Sequence, residues 1–452
     1  MLRKHVSMDM TEGVIWKQLL GFAVPLMLGF VFQQLYNTVD SVVVGNFVGK
    51  EALAAVGSTG SIINTLIGFF TGLSTGATVI IARMFGARDR EGVHNAVHTT
   101  MVMTLVLALV FTVIGVLMTP QMLEWMNTPT DVLPQAEEYL RIYFSGIIGL
   151  MIYNMGAGIL RAVGDSRRPL YFLIFSAIVN TVGDLVFVLV FDMKIAGVAL
   201  ATILSQILSA ILVCASLIHA QGDHRLILRR LRIHWPTLKL IFKIGLPAAI
   251  QSAVTSFSNV FVQAYINAYG SACMAGWSIY GKLDQLALLP MQSISMASST
   301  FVGQNLGAQN IPRAKRGIRM ALGMSLLSTA MLMLPLMCFS KTLLSFFNQN
   351  EEVLRYGSMF VLWISPFYLF CCVNDILAGA LRGAGDTLVP SIINLATMWV
   401  VRIGLALILI KPLGLLGMWI AMAAELSTRG LLMLYRQRTS RFYAMYAGQG
   451  KA

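Results

Sequence analysis

The sequence predicts an all-α membrane protein, with twelve transmembrane helices in two pseudo-symmetric six-helix lobes. Three observations carry that prediction. Hydrophobic residues make up 57% of the 452 and charged residues only 12%, at a mean hydropathy of +0.73, whereas soluble domains carry about 25% charge. Apolar runs of roughly 20 residues, the length that crosses a bilayer, recur from one end to the other. The two halves of the chain also share motifs at a nearly constant offset. The alternating ten-residue segments of a transmembrane β-barrel are absent.

The first run, 16–46, is interrupted by Pro25 and ends in a polar stretch, Gln33-Gln34-Leu35-Tyr36-Asn37, followed by Asp40. Runs at 52–83, 95–118, 138–160, 168–192 and 196–219 complete the first half. Those at 240–267, 273–303, 317–339, 354–381, 389–410 and 413–436 make the second. Two of the runs exceed what a bilayer needs, which predicts tilt, protrusion or kinks at Pro25 and Pro290. The longest polar interruption, Gln221 to Lys239, is basic. The chain therefore divides into an amino-terminal lobe (1–220), a cytoplasmic linker (221–239) and a carboxyl-terminal lobe with a short cytoplasmic tail (240–452).

Lysines and arginines in the loops orient the spans. Arg3, Lys4, Lys17, Arg83, Arg88, Arg90, Arg161, Arg167 and Arg168 fall on one side. So do the linker arginines, Arg313 to Arg319, Arg382, Arg429, Arg436, Arg438, Arg441 and Lys451. The other side holds only Lys50, Lys194, Lys341, Arg355 and Lys411. Both termini are expected in the cytoplasm, and the chain is expected in the cell membrane. The first twelve residues hold no apolar core, so the first span rather than a cleavable signal peptide directs insertion. A net charge of +13 would point to nucleic acid in a soluble protein. Distributed this way it sets topology, and no nucleic-acid partner is expected. The five cysteines lie in apolar segments without metal spacing.

The halves are a parallel repeat. Gly158-Ile-Leu-Arg161-Ala-Val-Gly164-Asp165 with Pro169 recurs as Gly379-Ala-Leu-Arg382-Gly-Ala-Gly385-Asp386 with Pro390. Phe85-Gly86-Ala87-Arg88 pairs with Leu306-Gly307-Ala308-Gln309, and Pro25 with Pro247. Transporters often place substrate at such a repeat interface. The glycine-rich stretches lack a preceding strand, so they read as helix ends rather than phosphate loops. His94 and His98 lack a third ligand and do not suggest a metal.

A carboxylate in hydrocarbon costs several kcal/mol, which marks intramembrane acids as functional candidates. At 1.5 Å per residue, Asp40, Asp184 and Thr202 lie roughly 10–12 Å inside the outer surface. Asn180 sits one turn from Asp184, and Asn37 near Asp40. This oxygen-rich set suits Na⁺ or a shared proton; the alternative is a hydrogen-bond network that only locks helices together. In the second half, Asp284, Arg402 and Glu425 lie near the midplane, where mutual ion pairing is expected. Met151, Met155 and Tyr36 can line a pliable cavity or simply pack.

These motifs, with Asn180-x-x-x-Asp184, Gly45 and Phe301-Val-Gly303-Gln304-Asn-Leu-Gly307-Ala308, resemble the multidrug and toxic compound extrusion (MATE) transporters over nearly the whole chain. The resemblance implies two six-helix lobes around a cavity, alternating access, and export of organic cations against H⁺ or Na⁺. It assigns coupling to Asp40, Asn180, Asp184 and Thr202, since Thr255 stands near the place where other members carry a glutamate in the seventh span. Tyr36, Asn37, Met151, Asn154 and Met155 are expected near the substrate path, with Pro25 as a helix hinge. Small organic cations and the bilayer are then the partners of a monomer, with no cofactor beyond the coupling ion and no enzymatic activity. A lipid-linked-precursor flippase of the same superfamily is the alternative, but it would need cavity arginines for its pyrophosphate.

Overall fold

The computed structural model describes residues 8–126 and 128–440, except the side chains of Lys50, Ser256, Phe257 and Val260. Arg3, Lys4, Arg441 and Lys451, used above for orientation, lie outside the described residues. The regular structure within them is helical throughout.

Six spans form the first repeat. α1 (Ile15–Val43) runs through Pro25 without a break and ends in a π-helical turn, Val44–Val48. α2 (Lys50–Gly86) and α3 (Arg90–Trp125) follow. α4 consists of Leu133–Ser145 and Ile147–Ala162, bent by 49° at Gly146. α5 (Arg167–Leu185) closes with a second π-helical turn, Val186–Val190, and α6 is Lys194–Ile218. The second repeat begins with α7 (Trp235–Asn267), α8 (Ser271–Gly307) and α9 (Ile311–Cys338). α10 joins Glu351–Ile364 to Tyr368–Gly383 through a 3₁₀ turn, Ser365–Phe367. α11 runs Leu388–Ala396, through a π-helical stretch, Thr397–Ile403, to Gly404–Leu413, and α12 is Leu415–Thr439.

Nine helices among the described residues are long and apolar enough to cross a membrane, and bent α4 makes a tenth. α8 and α12 are long but carry Lys282, Asp284, Glu425 and Arg429, so their polarity hides them from a hydropathy criterion. The architecture is therefore the expected twelve-helix, two-lobe one.

The repeat extends to single hydrogen bonds. Ser74 Oγ donates to the Asn154 carbonyl at 3.2 Å, and Ser295 Oγ to the Asp375 carbonyl at 2.6 Å. Gly164 and Gly385 end their helices at φ +88° and +89°, a left-handed conformation that favours glycine. Asp89 caps α3 and Asn310 caps α9, each through its side-chain oxygen.

Two compact units emerge. One comprises Leu28–Ala249 with the end of the amino-terminal tail, the other Met10–Met27 with the chain from Ile250 onward. In the first, α2 and α7 approach closely, because a Cβ on Gly72 would collide with the Ala249 backbone and one on Gly76 with the Ile241 carbonyl. In the second, the Met10 amide donates to Gln304 Oε1 at 2.9 Å, while Asn305 Nδ2 donates to the Met10 carbonyl at 3.0 Å. Arg313 adds bonds to the Glu12 carbonyl and Gln18 Oε1, both 2.8 Å. Those contacts explain the polar Gln304-Asn305 pair that the sequence displayed without a role.

The linker is docked along α3. The Ile227 amide donates to His98 Nε2 at 3.1 Å and the His234 amide to Thr99 Oγ1 at 3.0 Å. Arg232 reaches Asn95 Oδ1 at 3.3 Å. His98 thus serves as an anchor.

Candidate functional site

α1, α5 and α6 bring four of the expected residues together in the first unit. Asp184 is completely buried, and Asp40, Asn180 and Thr202 are nearly so. Asp40 and Asp184 lie close enough for each carboxyl group to act on the other. Asn180 Nδ2 donates to Thr202 Oγ1 at 3.4 Å, and Thr202 in turn donates to the Val198 carbonyl at 3.0 Å. Tyr36 lies one helical turn before Asp40 on the same face of α1.

The remaining valences define the chemistry. Asp40 Oδ1, Asn180 Oδ1 and both Asp184 oxygens are buried and accept no N–H or O–H from the protein. Buried acceptors are normally satisfied, because each orphan costs about 1–3 kcal/mol. Four acceptors facing so few donors constitute a cluster suited to a proton or a hard cation, which oxygen ligands favour. Each of the two acid-bearing helices turns π-helical within a turn of its acid, at Val44–Val48 and Val186–Val190. Such turns are frequent at functional sites.

Asn37 corrects the reading from spacing. It is exposed, because α1 turns Tyr36 and Asp40 inward and leaves position 37 on the far flank. The cluster therefore contains one amide rather than two. Tyr139 and Tyr143 were missed. Both tyrosines are buried and stacked at 6.3 Å, with the Asp40 charge acting on Tyr139. Their i,i+4 spacing on an apolar helix was the available signal.

Met151 and Met155 are buried within apolar clusters and face no open space. Asn154 is partly buried and donates to the Leu150 carbonyl at 2.9 Å. Pro25 lies three residues before Leu28, where α1 passes from one compact unit to the other, and Pro247 stands likewise before Ile250.

The second unit makes the expected Arg402–Glu425 pair but leaves Asp284 out of it. Arg402 Nη2 meets Glu425 Oε2 at 2.9 Å, and Arg429 meets Glu425 Oε1 at 3.2 Å. Asp284 instead accepts the Tyr368 hydroxyl. Arg429 was counted above among the loop cations, but it lies inside α12, one turn from Glu425, with its side chain 12% exposed.

A sequence profile of the MatE family matches residues 25–186 and again 247–408, one copy per repeat. The probable multidrug resistance protein YpnP of Bacillus subtilis is 32% identical over 433 residues, covering 95% of this chain and 96% of its own. The probable multidrug resistance protein NorM of Thermotoga maritima is 28% identical over 433 residues, with 93% and 91% covered. A solved multidrug resistance MATE family transporter of the MOP superfamily, in an outward-facing conformation, superposes with a TM-score of 0.90 at 23% identity, covering 98% and 99% of the two chains. Two family matches spanning both repeats, and a relative 32% identical over nearly the full length, place this protein in the MATE family of multidrug efflux transporters.

Proposed function

We propose that the protein is a secondary active antiporter, exporting amphipathic organic cations in exchange for H⁺ or Na⁺ by alternating access. One observation carries the coupling assignment: the Asp40–Asp184 pair with Asn180 and Thr202 presents buried acceptor oxygens that lack protein donors. A proton shared by the two acids, or a sodium ion among the oxygens, would satisfy them. Release of that ion restores the repulsion of two close carboxylates. The site therefore has two energetically distinct states that α1 can convert into movement.

Pro25 supplies the joint, since proline removes one helical hydrogen bond just before the unit boundary. Tyr36, one turn before Asp40 on α1, is the residue best placed to transmit occupancy toward a substrate path. The cell membrane, with both termini in the cytoplasm, is the location this reading requires. A pyrophosphate-carrying flippase is disfavoured, since the amino-terminal cluster is acidic.

Reconstituted vesicles test the proposal with a fluorescent organic cation, first under a pure pH gradient and then under a pure sodium gradient. One gradient should drive efflux, and Asp40→Asn should abolish the driven component. Full driven efflux by Asp40→Asn would overturn the coupling assignment, and no movement under either gradient would overturn antiport.

A further inference from the structure

The second unit contains a cavity of about 350 Å³ that the coupling cluster does not use. A volume near the lower end of the usual 300–1,000 Å³ for ligand sites suits a small molecule. Its chemistry is unusual for a membrane interior. Trp277, Tyr280 and Tyr368 supply aromatic surface, while Arg402, Arg429 and Asp284 all reach the wall.

The arginines on that wall are clustered. Two guanidinium groups share the carboxylate of Glu425, and Asp375 also acts on Arg429. The Nε atoms of both arginines are buried and have no hydrogen-bond acceptor. Arg402 is itself only 8% exposed. Asp284 accepts a neutral hydroxyl from Tyr368, whose oxygen is also 3.0 Å from that of Tyr280. One small cavity thus presents two arginines, an aspartate and flat aromatic rings.

We infer that this cavity is a binding site for a small aromatic zwitterion of the amino-acid type, with its carboxylate on Arg402 and Arg429 and its ammonium on Asp284. Guanidinium pairs suit a carboxylate through parallel N–H donors. An ammonium between Asp284 and the faces of Tyr280 and Trp277 gains both ionic and cation–π attraction. A ligand with only one charge would satisfy one wall and leave the other desolvated and unpaired, which is how a polar site rejects a near analogue. The site is independent of Asp40 and of the coupling ion.

Equilibrium binding to the purified full-length protein in lipid nanodiscs, without any ion gradient, tests this directly. The probe is radiolabelled L-tryptophan at neutral pH. Competitors are tryptophanamide (cation only), N-acetyltryptophan (anion only) and indole (neutral). Saturable tryptophan binding is expected, with each analogue at least about tenfold weaker. Asp284→Asn keeps an oxygen for Tyr368 and should weaken tryptophan about tenfold while leaving N-acetyltryptophan unchanged or tighter. Leu288→Trp, which fills the cavity, should remove binding altogether. The absence of saturable binding, equal competition by singly charged analogues, or an unchanged preference in Asp284→Asn would overturn the assignment.

Discussion

Asp184 is buried without a single hydrogen-bond donor from the protein, and this fixes what its replacement should do. Asp184→Asn introduces an N–H₂ that can donate to Asp40, so the vacant valence is filled by the substitution itself. The variant should lose gradient-driven efflux yet show a thermal midpoint in detergent at least equal to the parent protein's. A lower midpoint would mean that the acid pair is structural. Glu425 predicts the opposite. Glu425→Gln leaves Arg402 and Arg429 without their shared counter-charge, and breaking a buried ion pair costs about 3–5 kcal/mol. Its midpoint should fall by several degrees, checked on the same purified material. A third residue responds to pH. Burial, with help from Arg168, holds His224 in the linker region below its ordinary value of 6.5, against the opposing pull of Asp165 and Asp223. A depressed histidine binds its proton in the unfolded state first. Its contribution to docking is therefore intact above about 6.5 and is lost as pH falls below that, through the depressed folded-state value. Amide exchange across 221–239 should accelerate between pH 7 and pH 5, and His224→Asn should flatten that dependence.

At the scale of elements, glycine placement decides which helices touch. The Gly72 and Gly76 positions on α2 admit the α7 backbone itself, so Gly76→Leu should separate the two helices and cost about 1–3 kcal/mol or more through overpacking. Reduced folded yield on size-exclusion chromatography would report it. The sequence displayed both glycines but not their partner, because hydropathy records that a face is apolar and not what it meets. The depth of Asp40, Asp184 and Thr202 was legible, since helical rise alone sets it. Rotation about the helix axis was not, and this is why Asn37 was misplaced and Tyr139 and Tyr143 overlooked. Arg429 was misread for a related reason. It stands on α12 ahead of Arg436 and Arg438, and loop and helix look alike where charge interrupts an apolar run.

The whole molecule was legible as a duplication, since helix-ending motifs recur at a nearly fixed offset and the serine–carbonyl bonds obey it. What hydropathy does not reveal is which unit each leading helix joins. Met10–Met27 belong to the second unit and the segment up to Ala249 to the first, so neither repeat contains all of its own unit. A chain cut at residue 228, within the linker, should yield two fragments that are degraded when expressed singly. Together they should recover as an efflux-competent complex. Stable, monodisperse single fragments would contradict the exchanged membership.

That exchange also bears on descent. A half-length ancestor with the same leading helix would leave the front of that helix without a home in its own body. Only a second copy of the ancestor could receive it. Two such copies would each lend the other a helix, making an obligate pair before any fusion. On this view the basic linker is the youngest part of the protein. Joining the copies relieved them of having to find one another, and it let the two halves diverge until one kept an acid pair and the other an arginine-lined pocket.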